Sequence, residues 1–282
     1  MNKTQVYDEI YERIRASSSD ERYMLALRNR LDKSIDAAFR DCKFYKGLKH
    51  VGSMETGHML KWERDMDILV AMQPFEKAFF RDGVKRINGL TELVFSETVT
   101  VFSDLAAATY CGEHVGLMGV KANADRYTST EGDTMCHPEF SRSNLLKSQH
   151  RDVVLAKTLF RTAGIRSSSL GGGFVAEQLI SYFGSFENML IAFSSGHPIF
   201  IDYSGKYRGN KSSLVVSYPY CGLKNMSYKL DEGQYRHIVN YVRAILANPQ
   251  KFLDDANERF NRFQSTKKQP SAFKQFMIAF WG

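Results

Sequence analysis

The chain is poor in cysteine, with four in 282 residues, and none of Cys42, Cys111, Cys136 and Cys221 forms a C-x-x-C pair. Such wide spacing in a long chain argues against a disulfide framework or a structural zinc site and predicts free thiols in a reducing compartment. No run of about 18 apolar residues exists, which excludes a spanning helix. The first residues, MNKTQVYDEIYERI, lack the apolar core of a signal peptide. A cytoplasmic protein is the expectation. Acidic excess is missing too: 38 Lys and Arg stand against 31 Asp and Glu, a net charge of +7. That surplus favours an anionic partner such as a nucleotide or nucleic acid. At 43% hydrophobic and 24% charged, the rest reads as an ordinary globular protein with ample length for a core.

The stretch that organises the chain is Val51 to Met72, VGSMETGHMLKWERDMDILVAM. Gly52-Ser53 opens it, and Asp65-Met66-Asp67 closes it at the start of an apolar run. Carboxylates two residues apart on a strand point to one face. Side by side they repel, and a Mg²⁺ that also takes substrate phosphate oxygens removes that cost. The Gly-Ser turn suits the phosphates, since glycine admits close backbone approach and N–H and hydroxyl groups donate. An Asp-x-Asp alone is also what a solvated edge strand looks like, so the neighbouring turn carries the distinction.

Around it, apolar spacings of three and four predict two helices from Asn2 to about Phe44, broken at Ser17-Ser18-Ser19-Asp20, with Ser19 or Asp20 capping the second. Both are expected to back the sheet. A strand runs from Met66 to Met72 and ends before Pro74. A short helix is expected over Phe75–Asp82, and strands over Leu93–Phe95, Thr98–Phe102 and His114–Val120. Lys121 to His137 reads as a loop and a boundary. A helix is expected over Asn144–Ala163, ended by Gly164. The glycines of RSSSLGGG, with Arg166 beside them, can nest an anion or simply form a mobile loop. A helix follows over Phe174–Phe183, then short strands within His197–Val216. A further helix over Gln234–Leu246 is capped from Asp231. The end, FKQFMIAFWG, is apolar and expected to dock on the body or a partner.

Two segments taken together resemble a known family. Gly52-Ser53 with Asp65-Met66-Asp67 is the first. Gly173-Phe174, Ala176 to Ile180 and the Tyr-x-Gly-Ser-Phe-Glu-Asn run Tyr182–Asn188 form the second. They resemble the archaeal-type (class I) CCA-adding tRNA nucleotidyltransferases of the polymerase-β-like superfamily, which has oligoadenylate synthetases as relatives. The likeness covers roughly residues 45 to 255, and the family's tail domain that grips tRNA is expected to be missing. The resemblance implies an α+β fold: a palm with a small mixed sheet flanked by helices, then a mainly helical domain. The division expected is residues 1–44 as helices on the sheet, 45–130 as the catalytic domain and 131–282 as the helical body.

It also implies roles. Asp65 and Asp67 would be catalytic metal ligands for Mg²⁺, with Mn²⁺ as substitute. Gly52, Ser53, Lys157, Arg142 and Ser185 would bind the NTP, ATP first among them, with Lys157 on the triphosphate. The implied reaction is transfer of a nucleoside monophosphate to an RNA 3′-hydroxyl, as in tRNA processing. One position departs: the family's third carboxylate falls on Gly116, and strand parity sends Glu113 to the opposite face. Asp104 and Asp125 replace it only if the match shifts. An Arg of the Gly-Ser loop becomes Thr56, and a Tyr after the Lys157 helix becomes Arg166. The alternatives are therefore an inactive relative that binds RNA or a protein partner, and a synthase of oligo- or cyclic nucleotide signals. A protein partner or a homodimer through the apolar C-terminus is also expected.

Overall fold

The structure is a computed structural model that describes residues 2–90, 94–95, 105–111, 113–165, 170 and 172–266. The expected strand over Thr98–Phe102, Asp104, Arg166 and the apolar C-terminal segment lie outside the described residues. The fold is α+β, and the described residues divide into two compact units, one built from residues 2–15 and 126–266 and one from residues 16–125.

In the sheet unit, helix α2 (Ser18–Phe39) is followed by β1 (Tyr45–Val51), the short turn of helix α3 (Ser53–Thr56) and β2 (Asp65–Met72). Helix α4 (Lys77–Leu90), β3 (Val94–Phe95), β4 (Leu105–Tyr110) and β5 (Glu113–Lys121) complete it. The five strands run in the order β1-β2-β5-β4-β3. β2 and β5 are parallel and the other pairings antiparallel, so the sheet is mixed. Strand alternation sorts β2: Met66, Ile68, Val70 and Met72 are buried with Met24, Leu27, Leu31, Ile35 and Phe39 of α2 and Phe80, Val84 and Ile87 of α4. Gly83 sets how closely the two helices pass, since a Cβ there would lie 2.2 Å from the Phe39 ring.

The cap of α2 is Ser17, not Ser19 or Asp20. Ser17 accepts from the Asp20 backbone N–H, and Asp20, at the third helical position, bonds back to the Ser17 N–H. This capping box uses the acid where its side chain reaches the orphan donor. The expected helix at Phe75–Asp82 starts later and runs on to Leu90, because its apolar face continues through Val84 and Ile87.

The helical unit begins with α1 (Lys3–Ile14), which buries Val6, Tyr7, Ile10 and Ile14. Tyr7 meets Phe186 edge-on at 5.2 Å and Phe252 at 6.3 Å. The two N-terminal helices therefore part: α2 covers the sheet, while α1 packs among the helices of the other unit. The expected loop before His137 contains α5 (Thr130–Met135), capped by Ser129, which accepts from Gly132 N at 3.0 Å. Six residues are too few for a readable period. A separate helix, α6 (His137–Asn144), comes next, and the helix expected over Asn144–Ala163 begins later, as α7 (His150–Thr162), after a turn of 3₁₀ helix at Lys147–Gln149. Then come α8 (Phe174–Phe183), α9 (Phe186–Ser194), β6 (Ile199–Ile201), β7 (Leu214–Val216), α10 (Glu232–Ala247) and α11 (Pro249–Thr266). β6 and β7 pair in parallel. α10 is capped by Asp231 with Gln234 closing the box. No helix among the described residues is long and apolar enough to cross a membrane.

Candidate active site

β1 delivers the chain to Gly52, whose backbone at φ 81° and ψ −171° is open almost only to glycine. The turn that follows is tied internally: Thr56 N and Thr56 Oγ1 both donate to the Gly52 carbonyl at 3.3 Å. His58 N donates to the Ser53 carbonyl at 2.9 Å. Thr56, where the family resemblance leads one to expect Arg, thus serves the turn. Glu55 is held by Arg28 at 3.0 Å.

Across from this turn, Val51 pairs with Asp67. Asp67 is exposed and Asp65 partly so, with Met66 buried between them, so both aspartates occupy the sheet face away from α2 and α4. Gly52 comes so close that a Cβ on it would lie 2.2 Å from Asp67 Oδ2. Backbone and carboxylate share one cradle that only a glycine leaves open.

Behind the cradle, Arg64 anchors the start of β2. Its guanidinium bonds Asp20 at 2.8 Å and Glu113 at 3.1 Å. Burial pushes the Asp20 carboxyl up, but hydrogen bonds from Ser17 and the charges of Arg64 and Lys61 hold it below its ordinary 3.8. Glu113 is itself buried, on the face opposite Gly116, and is engaged by Arg64.

The parallel register sets Gly116 beside Asp67 and His114 beside Asp65. A Cβ on Gly116 would sit 3.1 Å from Asp67 Oδ1. Among the described residues, no group of three His, Cys, Asp or Glu side chains is arranged to hold a metal ion. Two carboxylates on an open strand face beside a backbone cradle fit a Mg²⁺ that completes its shell from phosphate oxygens and water. They do not amount to a cage made by protein alone.

The other expected nucleotide contacts lie in the helical unit. Lys157 is buried in α7, its ammonium 3.6 Å from Glu177 Oε1, and Glu177 also accepts from Ser141 Oγ. Gly173 makes room for this lysine, since a Cβ there would come within 2.8 Å of Lys157 Cε. That gives one glycine of the run a packing role. Ser185 is the N-cap of α9 and accepts from Asn188 N at 3.2 Å. Gly184, at φ 81°, ends α8, and Asn188 Nδ2 returns to the Phe183 carbonyl at 3.0 Å. The Gly-Ser-Phe-Glu-Asn run is thus a helix–helix corner. Arg142 lies exposed in the last turn of α6.

Sequence reasoning missed Asp133. It is fully buried and accepts from Tyr220 N and Cys221 N at 2.8 Å each. His137, 3.4 Å from it, stacks on Phe174 at 3.7 Å. The only available signal was the Ser129 cap, which announces a helix but not its burial.

No described protein family's profile matches the chain. In sequence it is similar to the CCA-adding enzyme of Methanosarcina mazei, 25% identical over 256 residues, covering 86% of this chain and 56% of that protein. The CCA-adding enzyme of Pyrobaculum islandicum is 23% identical over 260 residues, covering 87% and 61%. The chain therefore spans little more than half the length of these curated relatives. In fold it is similar to Escherichia coli MS115-1 CdnC solved with ATP, with a TM-score of 0.64 at 13% identity, covering 99% of this chain and 97% of that one. Cid1, described as an RNA terminal uridylyl transferase, gives 0.65 at 12% identity, covering 86% and 91%. The fold is that of the polymerase-β-like nucleotidyltransferase superfamily. Within it, the sequence likeness falls on the CCA-adding branch.

Proposed function

We propose that the chain is a nucleotidyltransferase that moves a nucleoside monophosphate from an NTP, ATP first among them, to an RNA 3′-hydroxyl. One observation carries the reading: Asp65 and Asp67 share the open face of β2 with Gly52 pressed against Asp67. Asp65 and Asp67 would hold Mg²⁺, or Mn²⁺ through the same oxygen donors. When bound, the metal stabilises charge on the transferring phosphoryl group and lowers the pKa of an attacking oxygen. Gly52 lets the backbone approach phosphate, and Ser53 offers its hydroxyl and N–H there. Lys157, Arg142 and Ser185 are proposed as further nucleotide contacts, each open to test by its own substitution. The CCA-adding relatives support this reading.

A second reading, an inactive subunit that binds RNA or a protein, is favoured by Gly116 standing in register with Asp67. One experiment separates them. The chain is incubated with labelled NTPs, Mg²⁺ or Mn²⁺ and mixed RNAs. Incorporation that disappears in Asp65→Ala supports the transferase. Wild-type silence, with incorporation gained in Gly116→Asp, supports the inactive reading. A labelled product made without RNA supports a synthase of oligo- or cyclic nucleotides.

A further inference from the structure

Residues 203–229 of the helical unit hold five tyrosines and five Lys or Arg, and no Asp or Glu. The segment comprises the connection from β6 to β7, β7 itself and the loop after it. Arg208 and the Tyr207 hydroxyl bond carbonyls within the segment, and residues of other types supply much of the remaining bracing. Asp202 accepts from Tyr207 N at 2.9 Å and Ser217 Oγ at 2.8 Å. The Asn225 side chain accepts from Val216 N at 3.0 Å and donates to the Leu214 carbonyl at 3.1 Å. The loops are thus braced by small polar groups, and the lysines play no part in these bonds.

Two tyrosine rings stand in solvent with cations over them. Tyr127 is 53% exposed. Lys206 Nζ lies 5.3 Å from its ring centre and the Arg126 guanidinium 5.7 Å. Arg126 also covers Tyr220 at 5.2 Å, and it pairs with Glu139 at 2.7 Å. Tyr228 is 69% exposed, with Lys229 Nζ 5.4 Å from its ring centre. Independently, the same loops line an open cavity of about 760 Å³ bordered by Tyr207, Tyr218, Tyr228, Asn210 and Lys224. That is within the usual range of ligand clefts, about 300–1,000 Å³.

Exposed aromatic rings, each beside a cation, match one chemistry well. Bases of a single strand stack on the rings, while the phosphates between them meet the ammonium groups. An acidic peptide would use the cations and leave the rings idle. An apolar protein partner would have to desolvate the cations without compensation. We propose that this face of the helical unit binds single-stranded RNA, with Tyr127 and Tyr228 as stacking platforms and Lys206, Lys224 and Lys229 as phosphate contacts. The proposal deepens the acceptor half of the function proposed above and rests on that reading.

The test is fluorescence anisotropy of the full chain with a labelled single-stranded RNA of mixed sequence, without NTP, across a salt series. Tyr127→Ala and Tyr228→Ala are each expected to weaken binding about 5- to 150-fold. Tyr127→Phe, which keeps the ring, should restore it. Lys206→Ala should lower the slope of log K against log salt by about 0.7. Both tyrosines are exposed, and unchanged melting temperatures would confirm intact folding. Wild-type affinity in both alanine variants overturns the proposal, as does polyglutamate competing as well as RNA. Tyrosine-dependent RNA binding without any nucleotidyl transfer upholds it while the transferase reading fails. Transfer that proceeds while RNA binding ignores both tyrosines overturns it and leaves the transferase reading standing.

Discussion

Gly173 in the helical unit and Gly52 in the sheet unit do similar work for opposite ends. Each leaves a space that a Cβ would fill. At Gly173 the space holds Lys157, which lies beside the buried Glu177. At Gly52 it holds the carboxylate of Asp67, two residues from a second carboxylate on the same exposed face. The first arrangement sets opposite charges side by side inside the protein, so that Glu177 stabilises the buried Lys157 whether or not the lysine also meets a nucleotide. The second sets two carboxylates on one exposed strand face, where a bound cation would lessen their mutual repulsion. The contrast is between a buried acid beside a cation and two exposed acids on one strand face, for which the function proposed above gives a ligand.

The contrast breaks first at Asp67. Asp67→Ala is expected to abolish metal-dependent nucleotide incorporation, by about 10³-fold or more, since a metal's charge stabilisation is worth several kcal/mol of barrier. Its melting temperature should change far less than its activity, since Asp67 is exposed on the strand face. A large loss of stability would mean that Asp67 is architectural after all.

Glu177→Ala should do the reverse. Removing one partner of a buried ion pair costs about 3–5 kcal/mol, read as a lowered urea midpoint. Lys157→Met, which removes the cation but keeps the volume, should cost less than Lys157→Ala. If Glu177→Ala is stable and only nucleotide affinity changes, Lys157 and Glu177 belong to the ligand rather than to the fold.

Gly52→Ala sharpens the other side. Its backbone conformation should cost about 1–3 kcal/mol in chemical unfolding, and the added Cβ should displace Asp67 and lower Mg²⁺-dependent NTP binding in parallel. A substitution that leaves binding untouched would separate the turn from the aspartates.

The smallest effect concerns the brace behind the site. The Asp20 carboxyl sits below its ordinary 3.8 in the folded chain, so its contribution is complete above that pH and is lost as pH falls through the lower folded value. Asp20→Asn should therefore flatten the loss of stability below about pH 4, measured by thermal melts across pH. An unaltered acid limb would mean that the Ser17 and Arg64 contacts do not hold the charged form.

Much of this was readable in advance where the signal is local. Strand alternation put Asp65 and Asp67 on one face and Glu113 on the face opposite Gly116. The Phe174–Phe183 helix and the Asp231 cap follow from periodicity and side-chain reach within one turn. Other features needed partners distant in sequence. The divergence of α1 and α2 depends on which aromatic residues Tyr7 meets, namely Phe186 and Phe252. Arg64 shares Asp20 and Glu113 only because α2 and β5 meet at the start of β2. The burial of Lys157 and of Asp133 reverses the ordinary expectation for charged side chains, and no spacing announces it.

The sequence by itself determined the alternating aspartates, the Gly-Ser turn and the helix caps, because each rests on geometry within a few residues. Only the tertiary structure decided that Gly116 stands beside Asp67, that Gly52 closes on the same carboxylate and that Lys157 lies against Glu177. Those are pairings between separate elements, set by strand register (antiparallel between β1 and β2, parallel between β2 and β5) and by helix packing, which no local pattern encodes.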